Sequence, residues 1–197
     1  YKNQNFIKAM KPLKEYLLKH MQDYDTMKIM GEIFLSINRY PEAIDIYYRL
    51  IDIEPNNEKY YYNIANSYYN LNDFTNALDY YLKVINLNEE NYNVFIDIGT
   101  IFNKKNQFNQ AETYLLKALD CGSPNKNLLI QLGIAYGGQK KFLESLIVFK
   151  EALKFSLEDP ILHYQIAIIY KELEIYDLAI KNFSFYLKTN PKDEITL

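Results

Sequence analysis

Residues 24–57 read YDTMKIMGEIFLSINRYPEAIDIYYRLIDIEPNN, and residues 58–91 read EKYYYNIANSYYNLNDFTNALDYYLKVINLNEEN. Laid over one another, these two 34-residue stretches place Gly31 on Ala65, Tyr40 on Phe74 and Ala43 on Ala77. The register continues without insertion or deletion to residue 193, giving five copies that open at Tyr24, Glu58, Tyr92, Lys126 and Pro160. Their eighth positions are Gly31, Ala65, Gly99, Gly133 and Ala167; their twentieth are Ala43, Ala77, Ala111, Ser145 and Ala179. Gly, Ala and Ser together make up only 22 of 197 residues, so a small residue at all ten places reflects a packing requirement rather than chance.

Each copy reads as two amphipathic helices. Positions 4, 7, 8 and 11 share one face of the first, as Tyr61, Ile64, Ala65 and Tyr68 in copy two and Phe95, Ile98, Gly99 and Phe102 in copy three. Positions 17, 20, 24 and 27 do the same in the second, as Phe74, Ala77, Tyr81 and Val84, and position 17 is aromatic in every copy. Polar breaks such as Asn72-Asp73 and Asn106-Gln107 separate the helices, while Pro55, Pro124, Pro160 and Pro191 fall near copy junctions. The small residues let one helix approach a bulky side chain of the other. A single pair cannot bury both of its apolar faces, so the copies are expected to stack with neighbour-only contacts.

This pattern resembles the tetratricopeptide repeat, W-x2-L-G-x2-Y followed by A-x3-F and Pro. Copy one supplies Met27, Met30, Gly31, Phe34, Ala43, Tyr47 and Pro55; copy five supplies His163, Ile166, Ala167, Tyr170, Ala179, Phe183 and Pro191. The Trp slot is never Trp. The resemblance implies an all-α fold, a right-handed superhelical solenoid of antiparallel helix pairs, with units at 24–57, 58–91, 92–125, 126–159 and 160–193. Carried backwards, the frame puts Phe6, Ala9 and Leu13 at positions 17, 20 and 24, so residues 1–23 are expected to hold the second helix of a preceding unit, over 6–21, containing Pro12. Residues 194–197 are expected to open a truncated further helix, and the open ends suggest self-association.

Charge and chemistry narrow the activity. Residues 1–23 carry five Lys against Glu15 and Asp23, whereas the repeats carry 17 basic and 23 acidic groups, a poor match for a phosphate backbone. No apolar run nears the ~20 residues of a membrane span, and no secretory signal opens the chain. Cys121 is the only cysteine and reads as a small apolar filler; it excludes an internal disulfide and fits a reducing, cytoplasmic setting. The histidines are His20 and His163, the latter in a packing slot. Gly137-Gly138 lies in no phosphate-loop motif and reads as loosening a helix end. No metal-ligand spacing occurs, so neither enzymatic activity nor a metal or other cofactor is expected. The 21 Asn, beside much Lys, Ile and Tyr, are attributed to an AT-rich coding sequence.

The remaining function is binding of a protein or peptide. In the family that the repeats resemble, first-helix positions 2, 5, 6, 9, 12 and 13 line the concave surface. Position 6 here gives Ile29, Asn63, Asp97, Gln131 and Gln165. Around it stand Asn66, Asn70, Asn93, Thr100 and Asn127, with Tyr62, Ile96, Ile130 and Tyr164 interleaved. A primary amide both donates and accepts, so a row of them can pair with an extended peptide backbone while apolar neighbours exclude water. The row is similar to the asparagine ladder of the O-linked N-acetylglucosamine transferase repeats. The carboxylate clamp of chaperone-binding relatives is not reproduced, since Glu32 and Asp97 occupy its positions in copies one to three. The alternatives are a targeting module of a larger enzyme such as a transferase, or a plain structural spacer.

Overall fold

The computed structural model describes residues 23–190 together with Glu15. The expected helix over 6–21, His20, Pro191 and the helix start at 194–197 lie outside the described residues. Within them the chain is helical and contains no strand. The helices are α1 (Tyr24–Ser36), α2 (Tyr40–Ile53), α3 (Glu58–Asn70), α4 (Phe74–Leu87), α5 (Tyr92–Lys104), α6 (Phe108–Cys121), α7 (Lys126–Gly138), α8 (Phe142–Leu153), α9 (Pro160–Glu172) and α10 (Tyr176–Thr189). Every odd-numbered helix opens on the first residue of a copy, and every even-numbered one on position 17.

Two side-chain devices set those boundaries. The residue before each copy is Asp23, Asn57, Asn91, Asn125 or Asp159, and each accepts hydrogen bonds from backbone N–H groups of the helix that follows. An N-cap of this kind satisfies donors that the first turn leaves without partners. Position 15 of each copy, Asn38, Asn72, Asn106, Lys140 and Glu174, has φ between 56° and 61°. This left-handed residue ends the first helix: Arg39 N–H donates to Phe34 O at 2.8 Å and Asn38 N–H to Leu35 O at 3.1 Å, with the same pattern in later copies. Six asparagines, attributed above to coding bias, therefore have backbone roles as caps or turns.

The helices form two compact units, one ending at Glu89 and the next beginning at Glu90. In the first, α1 packs on α2, α2 on α3 and α3 on α4; in the second, consecutive helices from α5 to α10 pack in turn, and α5 also meets α7. Position 8 faces position 24 across a pair. A Cβ added at Gly31 would lie 2.8 Å from Tyr47 Cζ, at Gly99 2.6 Å from Leu115 Cγ, and at Gly133 2.5 Å from Phe149 Cε1. Position 20 is buried throughout, and Ser145 keeps its hydroxyl satisfied by donating to Gly133 O at 2.7 Å.

Polar contacts link successive copies inside each unit. In the first, the Tyr24 and Tyr60 hydroxyls meet at 2.6 Å, and Tyr48 bonds with Tyr68 at 2.9 Å and Tyr80 at 3.1 Å. In the second, Lys141 donates to Glu112 at 2.8 Å, while Lys126, opening copy four, pairs with Asp159 at that copy's end, the residue that caps the first helix of copy five. Two residues depart from or refine the sequence reading. Cys121 does not fill the core: as the last residue of α6 it is exposed, because the helix face turns outward there. His163 is half-buried, its Nδ1 2.8 Å from Asn182 Oδ1 and its ring 4.1 Å from that of Phe185.

Candidate peptide-binding face

Within the first unit the polar positions lie along α3. Tyr62, Asn63 and Asn66 are half-buried and Asn70 is exposed. Asn66 does not swing freely, because its Oδ1 accepts a hydrogen bond from the buried hydroxyl of Tyr81 on α4. With the carbonyl side engaged, its NH2 is left to donate outward. Tyr62 packs on the same tyrosine, with ring centroids 5.9 Å apart. Asn70 Nδ2 turns back to Asn66 O at 2.7 Å. Beneath Asn63 sits Tyr47, whose hydroxyl is buried without a partner in full hydrogen-bond geometry. Burial and the nearby charge of Glu32 push it up to about 12, while the Asn63 side chain pulls it the other way. Ile29, at position 6 of copy one, is 53 % exposed and apolar, so the amide row does not extend onto α1.

Within the second unit the same positions lie on α5, α7 and α9. Asp97, Gln131 and Gln165 are half-buried at position 6. Gln131 is held like Asn66: Asn103 Nδ2 donates to Gln131 Oε1 at 3.1 Å and to its backbone O at 2.8 Å. Its Nε2 therefore remains available as an outward donor. Asn93 and Asn127 are exposed about one turn ahead of Asp97 and Gln131. Thr100 spends its hydroxyl on Ile96 O at 2.8 Å, inside its own helix. Ile96 differs from the expectation: it is 3 % exposed and offers no surface to a ligand, since burying a whole isoleucine side chain is worth about 2 kcal/mol. Ile130 is half-buried, and the Tyr164 ring meets Phe183 edge-on and Tyr186 at a tilt, with centroids at 5.7 and 4.9 Å.

Asn103 is the residue that the sequence reading passed over. At position 12 and 7 % exposed, it orients Gln131 and lines a cavity of about 430 Å³ in the second unit, together with Gln165, Ile134 and Ile168. The available signal was its place on the same face as Asp97 and Thr100, but only the fold brings it to Gln131, 28 residues away. Among the described residues no group of three His, Cys, Asp or Glu could hold a metal ion, and no helix is long and apolar enough to cross a membrane.

Stacked helix pairs capped by Asn or Asp and closed on small residues define an all-α repeat protein of the α-solenoid class. Comparison with known proteins narrows this further. A family model described as tetratricopeptide repeat matches residues 58–91, the whole of copy two, and another described as TPR repeat matches residues 31–72. No curated protein sequence matches the chain. Similar solved structures include MamA of Desulfovibrio magneticus RS-1 from residue 41 onward, 17 % identical with a TM-score of 0.80 over 87 % of this chain and 97 % of that one. YrrB, described as a TPR protein with an unusual peptide-binding site, is 18 % identical with a TM-score of 0.73 over 91 % and 93 %. PilF of Pseudomonas aeruginosa is 16 % identical with a TM-score of 0.72 over 84 % and 75 %. Residues 31–91 thus match tetratricopeptide-repeat models, and the described chain has the all-α fold of tetratricopeptide-repeat proteins.

Proposed function

We propose that the chain is a non-catalytic scaffold that holds an extended segment of another protein against the polar face of its first helices. The observation that carries this reading is the anchoring of Asn66 by Tyr81 and of Gln131 by Asn103. In each case the amide oxygen is engaged from beneath, so the NH2 is oriented before any ligand arrives. Within each unit such a preorganised donor suits a carbonyl group of a peptide backbone, and orientation in advance lowers the entropic cost of binding. A solvated surface of no function has no need of such buried supports. Half-buried Tyr62, Ile130 and Tyr164 supply apolar contact beside them.

The test is selection of peptides from a random display library on the intact chain, followed by affinity measurement with Asn63→Ala and Gln131→Ala. Neither side chain is a core filler, so circular dichroism should remain unchanged. Loss of a hydrogen bond in a closed interface costs about 1–3 kcal/mol, so Asn63→Ala should weaken peptides held by the first unit, and Gln131→Ala those held by the second, roughly tenfold or more. Peptides that bind both variants as tightly as the parent would move recognition away from this face, and a library yielding no binder would favour a spacer.

A further inference from the structure

One cavity in the second unit lies where the ends of three first helices converge. Asn103 is the penultimate residue of α5, Gly137 and Gly138 close α7, and Glu172 closes α9; all four line the space. Its volume is about 430 Å³, enough for one large side chain. At positions 12 and 13, where the other copies carry Leu35-Ser36, Tyr69-Asn70, Asn103-Lys104 and Lys171-Glu172, this copy has Gly137-Gly138, and neighbouring side chains pack onto the bare backbone: an added Cβ would stand 3.2 Å from Ile169 Cδ1 at Gly137 and 2.5 Å from the Phe108 ring at Gly138.

The lining has a definite polarity. Ile134, Ile168 and Ile169 with Phe142 form an apolar wall. Asn103 presents a buried Oδ1 that has no hydrogen-bond partner, and its orientation is fixed because its Nδ2 donates to Gln131 O at 2.8 Å. Glu172 adds a carboxylate with no ion pair among the described residues. Three helix C-termini add the negative ends of their dipoles. The opposing charge is Lys140, exposed on a long flexible stem that can extend into solvent. An apolar wall leading to fixed negative and acceptor groups matches a chain with a hydrocarbon stem and a cationic, hydrogen-donating head.

We propose that this cavity is a subsite for a lysine or arginine side chain of the bound peptide, its stem against Ile134 and Ile168 and its head between Asn103 Oδ1 and Glu172. The proposal rests on the peptide-binding reading for the source of its ligand, but it can be tested without a peptide. The 15N-labelled chain is titrated with N-acetyl-lysine methylamide and N-acetyl-arginine methylamide, and with N-acetyl-norleucine methylamide as an uncharged match. The expected result is saturable shifts at the Asn103 side-chain NH2 and the Gly137 and Gly138 amides for a cationic probe, about tenfold weaker for norleucine. Gly137→Val should abolish them. Glu172→Gln, at an exposed site that leaves the fold intact, should weaken the cationic probes and leave norleucine unchanged. Equal response to norleucine, indifference to Glu172→Gln, or no saturable shift would overturn the subsite. Since the probes are single amino-acid derivatives, such failure leaves binding by Asn63 and Gln131 to its own test.

Discussion

A residue held at φ near +60° costs an ordinary L-amino acid about 1–2 kcal/mol, while Asn and Gly tolerate it. Copies one to three place Asn38, Asn72 and Asn106 at this turn, but copies four and five place Lys140 and Glu174, with φ of 61° and 59°. Glu174 has an exposed side chain, so Glu174→Gly should stabilise the chain by about 0.5–1 kcal/mol, read as a higher urea midpoint at unchanged slope. Asn72→Ala should do the reverse. The glycines at position 8 obey a different rule. Gly133 has a helical backbone that alanine would accept, yet its missing Cβ makes room for Phe149. Gly133→Val should therefore destabilise by about 1–3 kcal/mol through overpacking, and Phe149→Leu in the same chain should recover part of that loss.

At the scale of the helix, Asp159 serves two ends at once. It caps α9 by accepting from Ile161 N–H at 2.9 Å and Leu162 N–H at 3.2 Å, and it pairs with Lys126 at the start of α7. Asp159→Ala should cost about 1 kcal/mol or more for the cap alone, whereas Asp159→Asn keeps the cap and loses only the partly exposed ion pair. A denaturation midpoint lowered far more by Ala than by Asn checks this division. The same element shows what a sequence can reveal. The helix pairs were legible because Gly31, Ala43 and their counterparts recur at a fixed interval, and helix periodicity is local. Position 34 was equally regular, as Asn57, Asn91, Asn125 and Asp159, but Asn is so frequent here that its placement was hidden by its abundance. The support of Gln131 by Asn103 could not be read, because it depends on how closely α5 and α7 approach. Nor could the cavity at Gly137-Gly138, which depends on walls supplied by other helices.

Over the whole chain, ionisable groups limit stability on both sides of neutral pH. Hydrogen bonds from Tyr24 and Asn57 hold the Glu54 carboxyl below the usual range, and Asn76 does so for Asp73. For Glu112 and Asp159 burial acts upward, but the former is outweighed by Lys141 and Gln139, and the latter by Lys126 and the N-terminal amides of α9. A carboxyl whose folded value is depressed contributes stability above its unfolded value of about 4, and that contribution disappears as pH falls through the folded value. Tyrosines act at the other end. Burial pushes Tyr47 up to about 12, and it pushes Tyr60 and Tyr136 upward as well. An acid with a raised folded value favours the native state fully below its unfolded value of about 10 and loses that advantage as pH rises through the folded one. The urea midpoint should thus be level between about pH 5 and pH 9 and decline beyond each limit. Tyr47→Phe separates the two arms. It removes a buried hydroxyl that lacks a partner in full geometry, so it should change stability little at pH 7 and reduce the decline between pH 10 and pH 12, leaving the acid arm as it was. An alkaline decline identical in parent and variant would show that Tyr47 ionisation does not contribute to it.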